Sequence, residues 1–123
     1  VNKWIFDAIK YGKVELYNSL YSKINFISFS QISKAIFYSI EKKIYGIYNI
    51  GTLKSISLEY LLKKIKKFTK KEITIKLINN EERNINIDIN KFFFKTGIKF
   101  ENELEDNIEL LYYSIKKEIE RII

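Results

Sequence analysis

Cysteine, histidine and proline are absent from this chain of 123 residues, and glycine occurs only four times. Without cysteine and histidine, the chain can form no disulfide, no thiolate nucleophile and no zinc site of the Cys/His type. The usual acid–base side chain near neutral pH is missing as well. No apolar run is long enough to cross a bilayer. We therefore expect neither a metal site nor a membrane partner.

Negative charge is scarce relative to positive charge. Lysine and arginine number 22 against 15 acidic residues, which leaves a formal net charge of +7. Such a balance is typical of proteins that bind nucleic acid. Arginine, the residue best suited to reading base edges, is confined to Arg83 and Arg121. We therefore expect no nucleic-acid partner, and the lysines of residues 63–71 are interpreted as a solvated helix face.

The spacing of the apolar residues predicts a mixed α/β chain without internal repeats or a domain boundary. The predicted helices lie near residues 2–11, 31–43, 57–70 and 103–121. The predicted strands lie near 14–17, 24–29, 47–50 and 73–78, with 85–89 as a further candidate. Of these, 47–50 is short and apolar, as is typical of a buried parallel strand.

Local signals predict where the helices begin and end. Gly12 follows the first helix as a stop signal. Ser30 is predicted to cap the second helix and Ser57 the third. Asn102 and Glu105 form an Asn-x-x-Glu pattern, which predicts a capping box at the start of the last helix.

Four Tyr-x-x-x-Lys pairs are the only pattern with catalytic chemistry. A lysine one helical turn after a tyrosine can lower the tyrosine pKa and create an acid–base pair. None of the four follows a serine at the spacing of a dehydrogenase site, and none lies near a glycine-rich loop. We therefore interpret all four as helix-surface pairs and predict no catalytic residue in this chain: Tyr38 with Lys42, Tyr60 with Lys64, Tyr112 with Lys116, and Tyr113 with Lys117.

The order of several motifs resembles one enzyme family. The motifs are, in chain order, WIFDAIKYGKVELY, INFISFSQISKAI, GIYNIG, SISLEYLLKKI and DINKFFFKTGIKF. They are similar to segments in the C-terminal part of the extended short-chain dehydrogenase/reductases, the NAD-dependent nucleotide-sugar epimerases and dehydratases. INFISFSQISKAI resembles their Arg-Asp-Phe segment, and DINKFFFKTGIKF resembles their Asp-x-Ser-Lys segment. The resemblance covers essentially the whole chain.

The resemblance implies a fold class and a domain organisation. It implies a mixed α/β part of a Rossmann-type enzyme, namely a C-terminal lobe with one central parallel strand at 47–50. Residues 1–123 would be a single C-terminal region, and the N-terminal dinucleotide-binding half would lie upstream of Val1. NAD(P) would bind in the full-length protein, and none to this region alone. A cytoplasmic location is expected.

The resemblance also implies a set of substrate-binding residues: Tyr17, Lys23, Asn25 and Arg83. Tyr17 occupies a position that lies against the nucleobase, and Asn25 stands in the Asp place of Arg-Asp-Phe. Ile24 stands at the position of the arginine in Arg-Asp-Phe, so the neighbouring Lys23 is the candidate that supplies the positive charge. Arg83 is the only candidate for a second arginine on the diphosphate. The implied role is binding the nucleotide diphosphate of a sugar donor, without catalysis by this region alone.

Several alternatives stay open at this stage. The sequence does not distinguish an epimerase, a dehydratase and a reductase, and a homo-oligomer is open. A small basic accessory domain that binds nucleic acid or a protein partner is the alternative function. If the N-terminal half is missing, apolar residues of two helices should be partly exposed, and the isolated chain should be marginally stable or self-associating. These residues are Ile32, Ile36, Ile40, Leu58, Leu61 and Leu62.

Overall fold

The computed structural model describes residues 1–122, which form five helices and four short strands. The helices are α1 (Asn2–Tyr11), α2 (Phe29–Glu41), α3 (Leu58–Thr69), α4 (Asn90–Thr96) and α5 (Leu104–Ile122). The strands are β1 (Lys13–Leu16), β2 (Lys23–Ile24), β3 (Ile56–Ser57) and β4 (Thr74–Leu77). Strand β1 pairs with β4 in parallel, and β2 pairs with β3 in antiparallel orientation. The predicted mixed α/β class with a parallel sheet is confirmed.

The main core lies where α1, α3 and α5 pack against β1. Apolar side chains from every one of these elements are buried there, because each element places its hydrophobic stripe on the same centre. A second, smaller cluster joins α2, α4 and Phe100. The main core contains Ile5, Ala8, Val14, Leu16, Leu61, Leu62, Ile65, Ile73, Leu104 and Ile108.

Apolar faces of two helices, α2 and α3, were predicted to be partly exposed, and the structure confirms this for only one of them. Ile36 and Ile40 of α2 are exposed, as expected. Leu58, Leu61 and Leu62 of α3 are buried, so the prediction that they would be partly exposed is wrong. The physical reason is that α1 and α5 of the same chain cover the α3 stripe. No other element of residues 1–122 covers the apolar face of α2 to a comparable extent.

Two of the predicted helix signals are confirmed, and the predicted cap of α2 is wrong by two residues. Gly12 ends α1 in the left-handed conformation, with φ of 63°, and its N–H donates to the Ala8 carbonyl. The Ser57 side chain caps α3 by accepting from the Tyr60 N–H. The cap of α2 is Ser28 and not Ser30, because the chain is still extended at Ser28 and already helical at Phe29.

The predicted capping box of α5 does not form. The Asn102 side chain accepts from the Leu104 N–H at 2.8 Å, while the Glu105 carboxylate reaches Lys64 at 2.9 Å and Lys67 at 3.2 Å. These two α3 lysines lower the pKa of Glu105, chiefly through the hydrogen bond from Lys64. Glu105 therefore links α3 to α5 instead of closing its own helix end.

Replacing Glu105 with Gln should destabilise the fold in a pH-dependent way. Because the folded state lowers the Glu105 pKa, its stabilising contribution is complete above the unfolded pKa and is lost as the pH falls through the folded value. The difference in unfolding free energy between parent and variant should therefore begin to shrink as the pH falls below the unfolded pKa of about 4.3, and it should vanish once the pH lies below the folded pKa. Urea denaturation between pH 7 and pH 3 measures this difference. Glu109→Gln is the control, since Glu109 forms no ion pair among residues 1–122; an equal effect would contradict the assignment.

Several sequence predictions about the strands need correction. Residues 47–50 form no strand within the described chain, because a strand requires a hydrogen-bonded neighbour and none is present there. The strand expected at 24–29 is limited to β2, and 85–89 is not a strand. Helix α4 was not predicted; it ends at Gly97 with φ of 72°. Among residues 1–122, no helix combines the length and hydropathy that crossing a bilayer would require.

Candidate functional site

The carboxyl ends of β1 and β4 lead into two loops that run side by side. The Ile78 N–H donates to the Leu16 carbonyl at 2.7 Å, directly after both strands end. Further along, the Ser19 N–H donates to the Glu81 carbonyl at 2.9 Å. The two segments, residues 17–23 and 78–84, are thus held together by their backbones and are called the paired loops below; the first of them includes Lys23, the first residue of β2. In open α/β sheets, ligands bind beyond the carboxyl ends of the parallel strands.

Ser22 is the buried residue that fixes the far end of the paired loops. Its hydroxyl oxygen accepts from the Arg83 N–H at 2.9 Å, and its carbonyl accepts from the Leu58 N–H at 3.0 Å. The next residue, Lys23, donates its N–H to the Arg83 carbonyl at 3.2 Å. Ser22 was missed by the sequence analysis, since a serine in a polar segment carries no signal of burial.

Three of the four sequence-predicted site residues lie on the paired loops. Tyr17 follows β1 directly, and the residue is 62% exposed. Lys23 and Arg83 are neighbours through their backbones, and both side chains are exposed. The Arg83 guanidinium has one weak ion pair, with Glu81 at 3.5 Å. The paired loops therefore carry one exposed tyrosine and two exposed cationic side chains.

Asn25 lies outside the paired loops, and its side-chain amide is bound to Thr52. Its Nδ2 donates to the Thr52 carbonyl at 2.9 Å, and its Oδ1 accepts from the Thr52 N–H at 2.9 Å. The Thr52 hydroxyl adds a third bond, at 3.2 Å. A Cβ on the neighbouring Gly51 would lie 2.8 Å from the Asn25 Oδ1, so glycine is needed there for close approach.

Gln31, a buried residue in the first turn of α2, has hydrogen bonds within the fold. Its Oε1 accepts from the Ser28 N–H at 3.1 Å, and its Nε2 donates to the Glu101 carbonyl at 2.7 Å. Ser28 also donates its hydroxyl to the Glu103 carboxylate at 3.0 Å. The start of α2 is therefore tied to the segment that precedes α5.

The Tyr-x-x-x-Lys pairs that make contact do so on helix surfaces. The Lys64 ammonium lies 5.1 Å from the centre of the Tyr60 ring and binds Glu105. The Lys116 ammonium lies 6.0 Å from the Tyr112 ring centre. Neither pair lies on the paired loops. Among residues 1–122, no group of three or more acidic side chains is arranged to hold a metal ion.

Comparison with known proteins shows similarity in structure alone. No protein-family model matches the sequence, and no curated protein sequence matches it. The UDP-glucuronic acid 4-epimerase of Bacillus cereus, solved with UDP-glucuronic acid and NAD, matches 93% of this chain with a TM-score of 0.82 and 19% identity. The dTDP-glucose 4,6-dehydratase of Bacillus anthracis, solved with NAD, matches 94% with a TM-score of 0.77 and 17% identity.

The match extends beyond enzymes of nucleotide sugars. The L-threonine dehydrogenase of Clostridium difficile matches 94% of this chain with a TM-score of 0.73 and 16% identity. The chain spans about two-fifths of the length of these structures: 38% of the epimerase, 39% of the dehydratase and 40% of the dehydrogenase. The chain therefore has the fold of a region of the extended short-chain dehydrogenase/reductases, the family that its motifs resemble.

Proposed function

We propose that residues 1–123 are the C-terminal, substrate-binding region of a cytoplasmic NAD-dependent nucleotide-sugar epimerase or dehydratase. The observation that carries the proposal is the position of Tyr17, Lys23 and Arg83 on the paired loops, beyond the carboxyl ends of two parallel strands. In this proposal the N-terminal half holds NAD(P) and the catalytic residues, and the described region binds the substrate.

The chemistry of the paired loops suits a nucleoside diphosphate. A guanidinium can bind two phosphate oxygens at once, and an ammonium adds a compact positive charge. The pair between Arg83 and Glu81 is weak, because its 3.5 Å distance is long and both side chains are well exposed. Phosphate oxygens can therefore replace Glu81 at little cost. The ring of the exposed Tyr17 offers a flat apolar surface for a base.

We assign Asn25 a supporting role in this function. Its polar atoms already bind the backbone and hydroxyl of Thr52, so it has little capacity left for a ligand. Lys23 lies two residues before Asn25, on β2. Strand β2 pairs with β3, which follows Thr52 shortly along the chain. The contact between Asn25 and Thr52 thus helps to hold Lys23 beside Arg83.

Titration with UDP and with uridine tests this function. UDP should bind more tightly than uridine, because only UDP carries the diphosphate. Arg83→Gln should weaken UDP binding by about 10- to 100-fold, the value of a hydrogen bond to a charged group, and leave uridine binding nearly unchanged. Lys23→Gln should act in the same direction with a smaller effect. Calorimetry or NMR titration at one fixed salt concentration provides the measurement.

Matched surface variants serve as controls. Arg121→Gln and Lys117→Gln remove one positive charge each from the exposed side of α5, far along the chain from the paired loops. Neither should alter UDP affinity. The proposal is contradicted if UDP and uridine bind equally well, or if Arg121→Gln weakens UDP as much as Arg83→Gln does. Tighter binding of a single-stranded oligonucleotide, lost as salt rises, would favour the nucleic-acid alternative.

A further inference from the structure

A cavity of about 260 Å³ lies where the ends of α1 and α3 meet the middle of α5. Three of its lining residues are lysines, and none of them is acidic. The residues that line it are Ile9, Thr69, Lys70, Lys71, Tyr112 and Lys116. It is called the lysine cavity below. Ile9 and Lys71 precede the amino ends of β1 and β4, so this cavity and the paired loops lie at opposite ends of the two strands.

The lysines of the cavity differ from other lysines of α3 in lacking an acidic partner. Lys64 and Lys67 both bind Glu105. By contrast, no ion pair within residues 1–122 includes any of the three cavity lysines. Like charges around one cavity repel one another, and this repulsion opposes folding. A bound anion would offset it.

The dipole of α3 accounts for only part of this arrangement. The carboxyl end of a helix carries a partial negative charge, which is a sufficient reason for a lysine at Lys70. That reason does not apply to Lys116, because it lies more than one helical turn before the end of α5. Only the folded chain brings Lys116 beside Lys70 and Lys71. The concentration of charge therefore needs another explanation.

The turn after α3 adds a backbone donor to the lysine cavity. Lys70 ends α3 in the left-handed conformation, with φ of 53°, and the chain then turns so that Lys71 lines the same cavity. The Lys71 N–H donates to no backbone carbonyl among residues 1–122. Free N–H groups and cationic side chains are the donors that bind oxyanions. The half-buried Tyr112 and Ile9 supply an apolar wall beside them.

We propose that the lysine cavity binds the phosphate group of a small molecule, either a phosphate monoester or inorganic phosphate. A phosphate monoester carries a charge of about −1.5 to −2 at pH 7 and three strong acceptor oxygens, so it matches three ammonium groups and one N–H. Lysine binds phosphate as a point charge, and its flexible side chain adapts to the position of the oxygens. This site goes beyond the proposed function and does not depend on it.

Titration with inorganic phosphate and with phenyl phosphate, followed by amide NMR, tests this proposal. Both should shift the amide resonances of Lys70, Lys71 and Lys116 in a saturable way, with a Kd of about 1 mM or lower. Tighter binding of phenyl phosphate identifies a phosphate monoester as the ligand, because only its ring gains contact with the apolar wall. Equal or weaker binding identifies inorganic phosphate. The absence of saturation at these amides with both ligands overturns the proposal.

Charge removal tests which lysines bind the phosphate. Lys71→Gln and Lys116→Gln should each weaken binding by about 5-fold, because each removes one charge contact that solvent partly screens. Lys34→Gln is the matched control, since Lys34 is exposed on α2 and does not line the cavity; it should leave the Kd unchanged. An equal weakening by Lys34→Gln would show that net charge alone attracts phosphate, and the proposal would fail.

Two further measurements separate the lysine cavity from other anion-binding surfaces. Arg83→Gln should leave phosphate binding at the cavity unchanged, and Lys116→Gln should leave UDP binding at the paired loops unchanged. Loss of phosphate binding in Arg83→Gln would assign the phosphate to the paired loops and overturn this proposal. A single-stranded oligonucleotide that displaces phosphate, with an affinity that falls steeply as salt rises, would assign the cavity to nucleic acid and overturn it as well.

Discussion

Replacing Leu61 with Ala is expected to lower the free energy of unfolding by about 3 kcal/mol, within the usual range for a buried leucine. Leu61 has no exposed surface and lies in the core formed by α1, α3, α5 and β1. Truncation removes apolar contacts and leaves a cavity, since the three surrounding helices can close over it only in part. Urea denaturation followed by circular dichroism measures the change.

Ile40→Ala is the informative control for this experiment. Ile40 belongs to an apolar helical stripe just as Leu61 does, but it is 72% exposed on α2. Its truncation should change the free energy of unfolding by less than about 0.5 kcal/mol. If both variants lost the same unfolding free energy in a monomeric chain, either the apolar face of α2 would be covered or that of α3 would be exposed. Light scattering of each sample tests whether self-association masks the difference.

The second large effect is expected at the contact between Asn25 and Thr52. Asn25→Ala leaves the N–H and the carbonyl of the buried Thr52 without their partner. A buried polar group without a partner destabilises by about 1–3 kcal/mol, so we expect a total loss of about 3 kcal/mol. Asn49→Ala is the control, because Asn49 is exposed, and it should change stability by less than about 0.5 kcal/mol.

A double-mutant cycle with Gly51 makes this prediction specific. Gly51→Ala alone should destabilise by about 1–3 kcal/mol, because the added methyl group meets the Asn25 side chain. In the Asn25→Ala background that clash is gone, so the same substitution should be at least about 1 kcal/mol less damaging. Additive losses would show that Gly51 is required for another reason.

Sequence signals were reliable where the interacting groups are close along the chain. Ser57 caps the helix that begins at the next residue, and Gly12 ends the helix before it. The helical stripe of α3 is also a local property, since residues three and four apart share one face. The shift of the α2 cap from Ser30 to Ser28 is a local error of two residues, where several serines compete for one role.

Contacts between distant residues could not be read from the sequence. Glu105 has the spacing of a capping residue. Its carboxylate instead binds Lys64 and Lys67 of α3, which lie 41 and 38 residues earlier in the chain. Asn25 is a substrate-binding candidate by resemblance, and nothing in the sequence indicated that its amide binds Thr52, 27 residues along the chain. The burial of Ser22 depends on the strands and helix that surround it.

The sequence by itself therefore determined the class of the fold and most helix positions, and it named Tyr17, Lys23 and Arg83 as candidate residues. Only the tertiary structure decided which apolar stripes are covered, that residues 47–50 pair with no strand among residues 1–122, and that three of the four candidate residues share the paired loops. The physical reason is the range of the interactions. Capping and periodicity act within one or two helical turns, whereas cover, strand pairing and the assembly of a site depend on segments that are distant in the chain and meet only when it folds.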